Sequence, residues 1–148
     1  MSGTFEGVGT LQFSPDNKHA YAYSGAVGVA AETTVLQFTT NSEYIVGRLY
    51  TGYCTPTNVT DDMTFQTKLN GSLIAARYMD TSKETQKGDS LTYFDIIIPP
   101  FSTVQVLSSN ISSMSARDMC SIFTGEVGGA IQQTDLEAIS DGSNWIKK

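Results

Sequence analysis

Charge is what this sequence has least of. Only 16% of its 148 residues are Asp, Glu, Lys or Arg, against about a quarter in an average domain. Long surface helices draw on Glu, Lys, Arg and Ala, so a mainly helical fold is disfavoured, and the Thr, Val, Ile, Tyr and Phe that remain suit sheets. The charge that is present leans acidic, to a net -6. Phosphate and anionic lipid call for clustered Lys and Arg, but here the nine cations are scattered and the only doublet is Lys147-Lys148. Nucleic acid and membrane surface are therefore not expected as partners.

Histidine is nearly absent. His19 is the only one, so any Ser-His-Asp triad would have to use it, and no GxSxG elbow accompanies it. A site built on several histidines is excluded. Cysteine is scarce too: Cys54 and Cys120 lie far apart, with no CxxC and no zinc spacing. They read as two small buried thiols, with a disulfide clipping two strands left open. No apolar run approaches the roughly 20 residues that cross a bilayer. Met1 to Glu6 lacks the basic and apolar regions of a signal peptide, which leads us to expect a protein made in a host cytoplasm.

The segments that remain are strand-like and closely spaced. Val8 to Phe13 leads into Ser14-Pro15-Asp16-Asn17, strong turn chemistry. His19 to Ser24 alternates around Tyr21 and Tyr23. Gly25 to Glu32 is Gly- and Ala-rich and reads as a loop, and Thr33 to Thr40 is β-branched. Tyr44 to Tyr50 carries Gly47, the mark of a bulge or a close backbone approach. Met63 to Leu69 and Ser72 to Met79 flank Asn70-Gly71, the strongest short hairpin signal, because both positions of a type I′ turn need φ > 0. Leu91 to Ile98 is almost continuously apolar and stops at Pro99-Pro100. Thr103 to Leu107 and Met119 to Val127 close the series, with Ser108 to Ser115 between them as a loop. Regular short strands without a long helix predict an all-β, single-domain, jelly-roll-like antiparallel β-sandwich of about eight to nine strands, other two-sheet sandwiches being the runner-up. The domain is expected to span residues 1–133. Residues 134–148 form a short irregular tail or arm, in which Thr134 and Glu137 make a weak capping box.

Chemistry is hard to find. Asp61-Asp62 lacks the spaced acids of a calcium loop, Asp16 and Asn17 are turn residues, and no carboxylate pair stands out for glycoside hydrolysis. Gly7-Val8-Gly9 precedes no helix that would bind phosphate. No catalytic residue, metal site or cofactor is expected, so the chain is not read as an enzyme. Tyr21, Tyr23, Tyr44, Tyr50, Tyr53, Tyr78 and Tyr93 mostly fall in or beside strands. They fit either cross-strand packing or a sugar-stacking face.

One stretch resembles a known family. Ile96-Ile97-Ile98-Pro99-Pro100-Phe101-Ser102, then a short Val-x-Val strand and a closing strand near Gly125, is similar to small virion proteins of tailed phages. The Lys68-Leu69-Asn70-Gly71 hairpin and the short opening β segment agree with it, and the likeness covers about Phe65 to Val127. Such proteins look like capsid decoration (cement) proteins, jelly rolls that commonly sit as trimers on the head surface. The resemblance implies a virion structural protein located on the capsid surface, with the major capsid protein as partner. The apolar strand places an oligomer interface at Phe94, Ile96, Ile97, Ile98 and Phe101, and Trp145 with Ile146 would anchor a partner-binding arm. The alternative is a carbohydrate-binding or host-adhesion module, which requires exposed tyrosines in a groove.

Overall fold

Alternating apolar residues and well-placed turns generate ten strands in the computed structural model, which describes residues 10–54, 61–79 and 91–128. They are β1 (Gln12–Phe13), β2 (His19–Tyr23), β3 (Val27–Val29), β4 (Thr33–Thr39), β5 (Ile45–Tyr53), β6 (Met63–Leu69), β7 (Ser72–Met79), β8 (Leu91–Ile98), β9 (Thr103–Asn110) and β10 (Arg117–Val127). Sheet A runs β1-β2-β10-β5-β8, with β3 also pairing with β10. Sheet B runs β4-β9-β6-β7.

The pairings are nested. The β6–β7 hairpin is innermost, enclosed by β5–β8, then β4–β9, then β2–β10, and all are antiparallel. A single long two-stranded ribbon, rolled so that β10 meets β5 and β9 meets β6, produces this order. That is the jelly roll expected from the sequence. The innermost turn is Asn70-Gly71, with φ of 52° and 86°. Gly47, expected at a bulge or a close backbone approach, makes the close approach: a Cβ there would run into the Thr124 carbonyl oxygen and the Gly125 Cα.

The strands number ten where about eight to nine were expected, β5 runs on to Tyr53 and β10 begins already at Arg117. Val27–Val29, read as part of a loop, is a strand because Arg117 to Met119 of β10 pair with it. β9 continues through Ser108 to Asn110, read as loop, because Thr33 and β6 supply partners on both sides. Phe101 takes φ 53°, a conformation rare for a bulky side chain. The tail at 134–148, with Trp145 and Ile146, lies outside the described residues.

The core fills the space between the sheets. Phe65, Phe123, Leu36, Ile45, Leu49, Met63 and Ile98 are among its fully buried members. Phe38 stacks on Phe123 at 5.0 Å between ring centroids. Each such side chain stabilises the fold by roughly 1.5–3 kcal/mol through burial. The inner faces are thus taken, and any ligand or partner must be met by the outer faces, the sheet edges or the loops.

Candidate functional site

The outer face of sheet A is built from residues that alternate with the core. Register places them in three rows across β2, β10, β5 and β8: Tyr23, Ile122, Tyr50, Tyr93; Tyr21, Thr124, Arg48, Asp95; and His19, Glu126, Val46, Ile97. An open groove of about 640 Å³ is lined by Tyr23, by the whole second row and by His19, Glu126 and Val46 of the third, but not by Ile97. Its floor includes the backbone at Gly47 and Gly125, which pair with each other.

Tyr21 and Tyr23 line the β2 side of the groove, and a second tyrosine pair on β5 and β8 stands outside its lining. Tyr21 and Tyr23 lie 5.2 Å apart between centroids, and Tyr50 and Tyr93 lie 5.3 Å apart. Arg48 is fixed among them. Its Nε donates to Asp95 Oδ1 at 3.0 Å, and its guanidinium carbon sits 4.3 Å from the Tyr93 ring centre. A hydrogen bond with Tyr50, then Tyr93 and Asp95, raise the guanidinium pKa above its usual value. Being exposed to solvent, this ion pair is worth little as stability. It is better placed to hold a donor and an acceptor at the groove.

A second feature is the side of the sandwich where β7 and β8 lie. Both are end strands among the described residues. Between them opens a cleft of about 270 Å³, lined by Phe65, Ala75, Arg77 and Phe94 among others. Arg77 Nη1 crosses it to donate to the Thr51 carbonyl at 3.1 Å. Of nine large hydrophobic side chains exposed among the described residues, six stand on these strands: Leu73, Ile74, Tyr78, Leu91, Tyr93 and Ile97. The charged residues of β7 and β8 are Arg77 and Asp95, one of each sign.

The expected interface residues divide. Ile96 and Ile98 point inward and are 7% and 0% exposed, so they belong to the core, with Phe94 half-buried against it. Only Ile97, at 58%, and Phe101, at 74%, are offered outward. The cause is period two on an end strand: one face packs on sheet B and the other is left uncovered.

At the far end from the Asn70-Gly71 turn, a polar cluster joins four elements. Asp61 Oδ2 accepts from Arg117 Nε at 2.7 Å, Asn110 Nδ2 at 2.8 Å and Ser113 Oγ at 3.0 Å. Tyr53 donates its hydroxyl to the Asp61 carbonyl at 3.0 Å. The Asn110 hydrogen bond first, with those from Arg117 and Ser113, holds the Asp61 carboxyl below the usual carboxylate value against the opposing effect of burial. These partners make Asp61 a structural clamp. Cys54 and Cys120, distant in sequence, stand side by side here as free thiols, and burial first, then Cys54, pushes Cys120 up to about 12. At the other end of β2, Ser14 donates to Asp16 at 2.6 Å and accepts from the His19 backbone amide at 3.1 Å. That is turn architecture, and it does not join the His19 ring to a serine nucleophile.

Sequence reasoning flagged the tyrosines but missed Arg48, Thr124 and Glu126. Their signal was present as an outward register on β5 and β10, readable only once the strands are aligned.

No family model matches this chain, and no curated protein matches it. Among solved structures, the chain is similar to that of CBM51-2 in complex with GlcNAc and INT domains from Clostridium perfringens ZmpB, at 11% identity and a TM-score of 0.48 over 90% of this chain and 28% of that one. It is also similar to the infectious bursal disease virus VP2 subviral particle, at 12% identity and a TM-score of 0.41 over 76% of this chain and 33% of that one. A third is a family 35 carbohydrate binding module from an environmental isolate, at 10% identity and a TM-score of 0.34 over 81% and 73%. This chain thus spans a third or less of the first two. Likenesses this distant transfer no activity, and the fold rests on the strand pairing itself.

Proposed function

We propose that this chain is a non-enzymatic structural protein that self-associates, and that it serves as a capsid decoration protein of a tailed phage. The observation that carries the reading is the β7–β8 side, where, among the described residues, six exposed apolar side chains stand on two end strands. A second copy is the occupant that fits. End strands offer unpaired N–H and C=O groups that an identical strand can meet. The two strands carry one charge of each sign, so neither adds to the repulsion between copies of a chain with net charge -6. Closure by repeating one patch around an axis gives a trimer in this reading, and many weak contacts then sum on a shell through multivalency. The resemblance at Ile96 to Ser102 supports the virion setting and the major capsid protein as partner, with Phe101 as an exposed aromatic contact.

Native mass by light scattering over a dilution series tests it. The expected result is a trimer for the wild type and a folded monomer for Ile97→Lys, a change at an exposed position that leaves the core intact. A monomeric wild type that also fails to co-sediment with capsids of the virus whose genome carries its gene overturns the reading.

A further inference from the structure

The lining of the groove on the outer face of sheet A includes none of the six exposed apolar side chains of β7 and β8, and its chemistry points to a ligand of its own. We propose that it binds a neutral, hydroxyl-rich oligosaccharide laid across the strands from β2 to β8. This goes beyond the assembly reading and does not depend on it.

Four observations converge. The first is shape: about 640 Å³, open to solvent, falls within the range of ligand sites. The second is its length. Tyr21 on β2 and Asp95 on β8 both line it and are separated by two intervening strands, so at the usual strand spacing they lie about 14 Å apart. That is a span for several linked rings, longer than one monosaccharide needs. Tyrosine offers an apolar face to ring C–H groups and a hydroxyl to their oxygens. The third is the Arg48–Asp95 pair, 3.0 Å apart and braced on Tyr93 at 4.3 Å. It presents donor and acceptor side by side, as vicinal hydroxyls require, and its fixed geometry lowers the ordering cost of binding. Thr124 adds a hydroxyl between Tyr21 and Arg48 in the same row.

The fourth is charge. Arg48 is already matched by Asp95, and Glu126 stands beside His19 in the next row. An anionic ligand would meet two carboxylates in the groove and a net charge of -6 on the chain. A phosphate or an acidic peptide is therefore disfavoured, and a strongly cationic one would have to displace Arg48 from Asp95. A neutral polyol faces neither cost.

The test is an array of neutral hexose oligosaccharides and of acidic glycans, probed with the full chain. Each bound neutral oligosaccharide is then measured in solution by calorimetry. The expected result is retention of neutral oligosaccharides only, weakened about tenfold or more by Tyr21→Ala and by Asp95→Asn. Tyr78→Ala, on sheet B, should bind as the wild type does, and so should Ile97→Lys if it is monomeric. Thermal melts of the variants establish that each is folded. No neutral glycan bound, acidic glycans alone bound, or equal affinity in wild type and both groove variants overturns the proposal. None of these results bears on the native mass, so the groove and the assembly reading fail separately.

Discussion

Gly125 faces the core opposite Gly47, and the Phe123 ring covers both. A Cβ at Gly125 would lie 2.7 Å from the Val46 carbonyl oxygen and 2.8 Å from the Ile45 Cγ2. The first of these is backbone in a paired strand, which no rotamer change can relieve. Gly125→Ala should therefore destabilise the fold by about 2–3 kcal/mol, at the upper end of the usual cost of overpacking. A lower midpoint in urea with an unchanged slope would show it. A loss under about 0.5 kcal/mol would mean that β5 and β10 separate there more easily than their register implies. Gly47 and Gly125 also shape the outer surface, since their backbone forms part of the groove floor. A packing constraint inside thus leaves room outside.

At the scale of elements, the Asp61 clamp holds the start of β6 to the end of β9 and the start of β10. Asn110 contributes most, since its amide also reaches the Ser115 carbonyl at 2.9 Å while its oxygen accepts from the amides of Ser112 and Ser113. Asp61 has a folded pKa below its unfolded one, near 3.9. Its stabilisation is therefore present above about pH 4 and is lost as pH falls through the folded value. Asp61→Asn should cost about 2 kcal/mol at neutral pH, the order of a hydrogen-bonded charge removed. It should also flatten the acid limb of stability measured by urea unfolding between pH 6 and 2. Equal acid limbs in wild type and variant would show that other carboxylates set that slope. The Asn70 turn is the matching device at the opposite end: its Oδ1 accepts from the Thr103 amide at 2.9 Å and its Nδ2 reaches Ser102 Oγ at 3.2 Å, tying the β6–β7 hairpin to β9.

At the scale of the molecule, nested pairing covers the inner faces of the jelly roll and, among the described residues, leaves β7 and β8 as end strands. An interface made there rests on apolar contact and strand edges, with one charge of each sign per copy. Salt screens charge pairs but leaves apolar burial in place. The proposed trimer should therefore keep its native mass from low salt to about 1 M sodium chloride. Dissociation on adding salt would point to ion pairs as the adhesive and move the interface elsewhere.

Much of the fold was legible because its signals are local. Met63–Leu69, Ser72–Met79 and Leu91–Ile98 have the boundaries their alternation and turns announce, and Asn70-Gly71 makes the turn that needs two positive φ values. Residues whose state depends on a distant partner were not legible. Val27–Val29 is a strand only because β10 passes beside it, and Asp61 is a clamp only because Asn110 and Arg117 arrive from far along the chain. The same holds for the candidate sites. Period two sorts Ile96 and Ile98 from Ile97, yet it does not say which face is covered, so all three read as interface until sheet B packs on one side. Tyr21, Arg48 and Asp95 share a row only through β10 and β5. By itself the sequence determined the bounds of the β6–β7 hairpin and of β8, since φ preferences and side-chain alternation act between neighbours. The tertiary structure alone decided which faces meet water, because burial is a property of what packs against a strand.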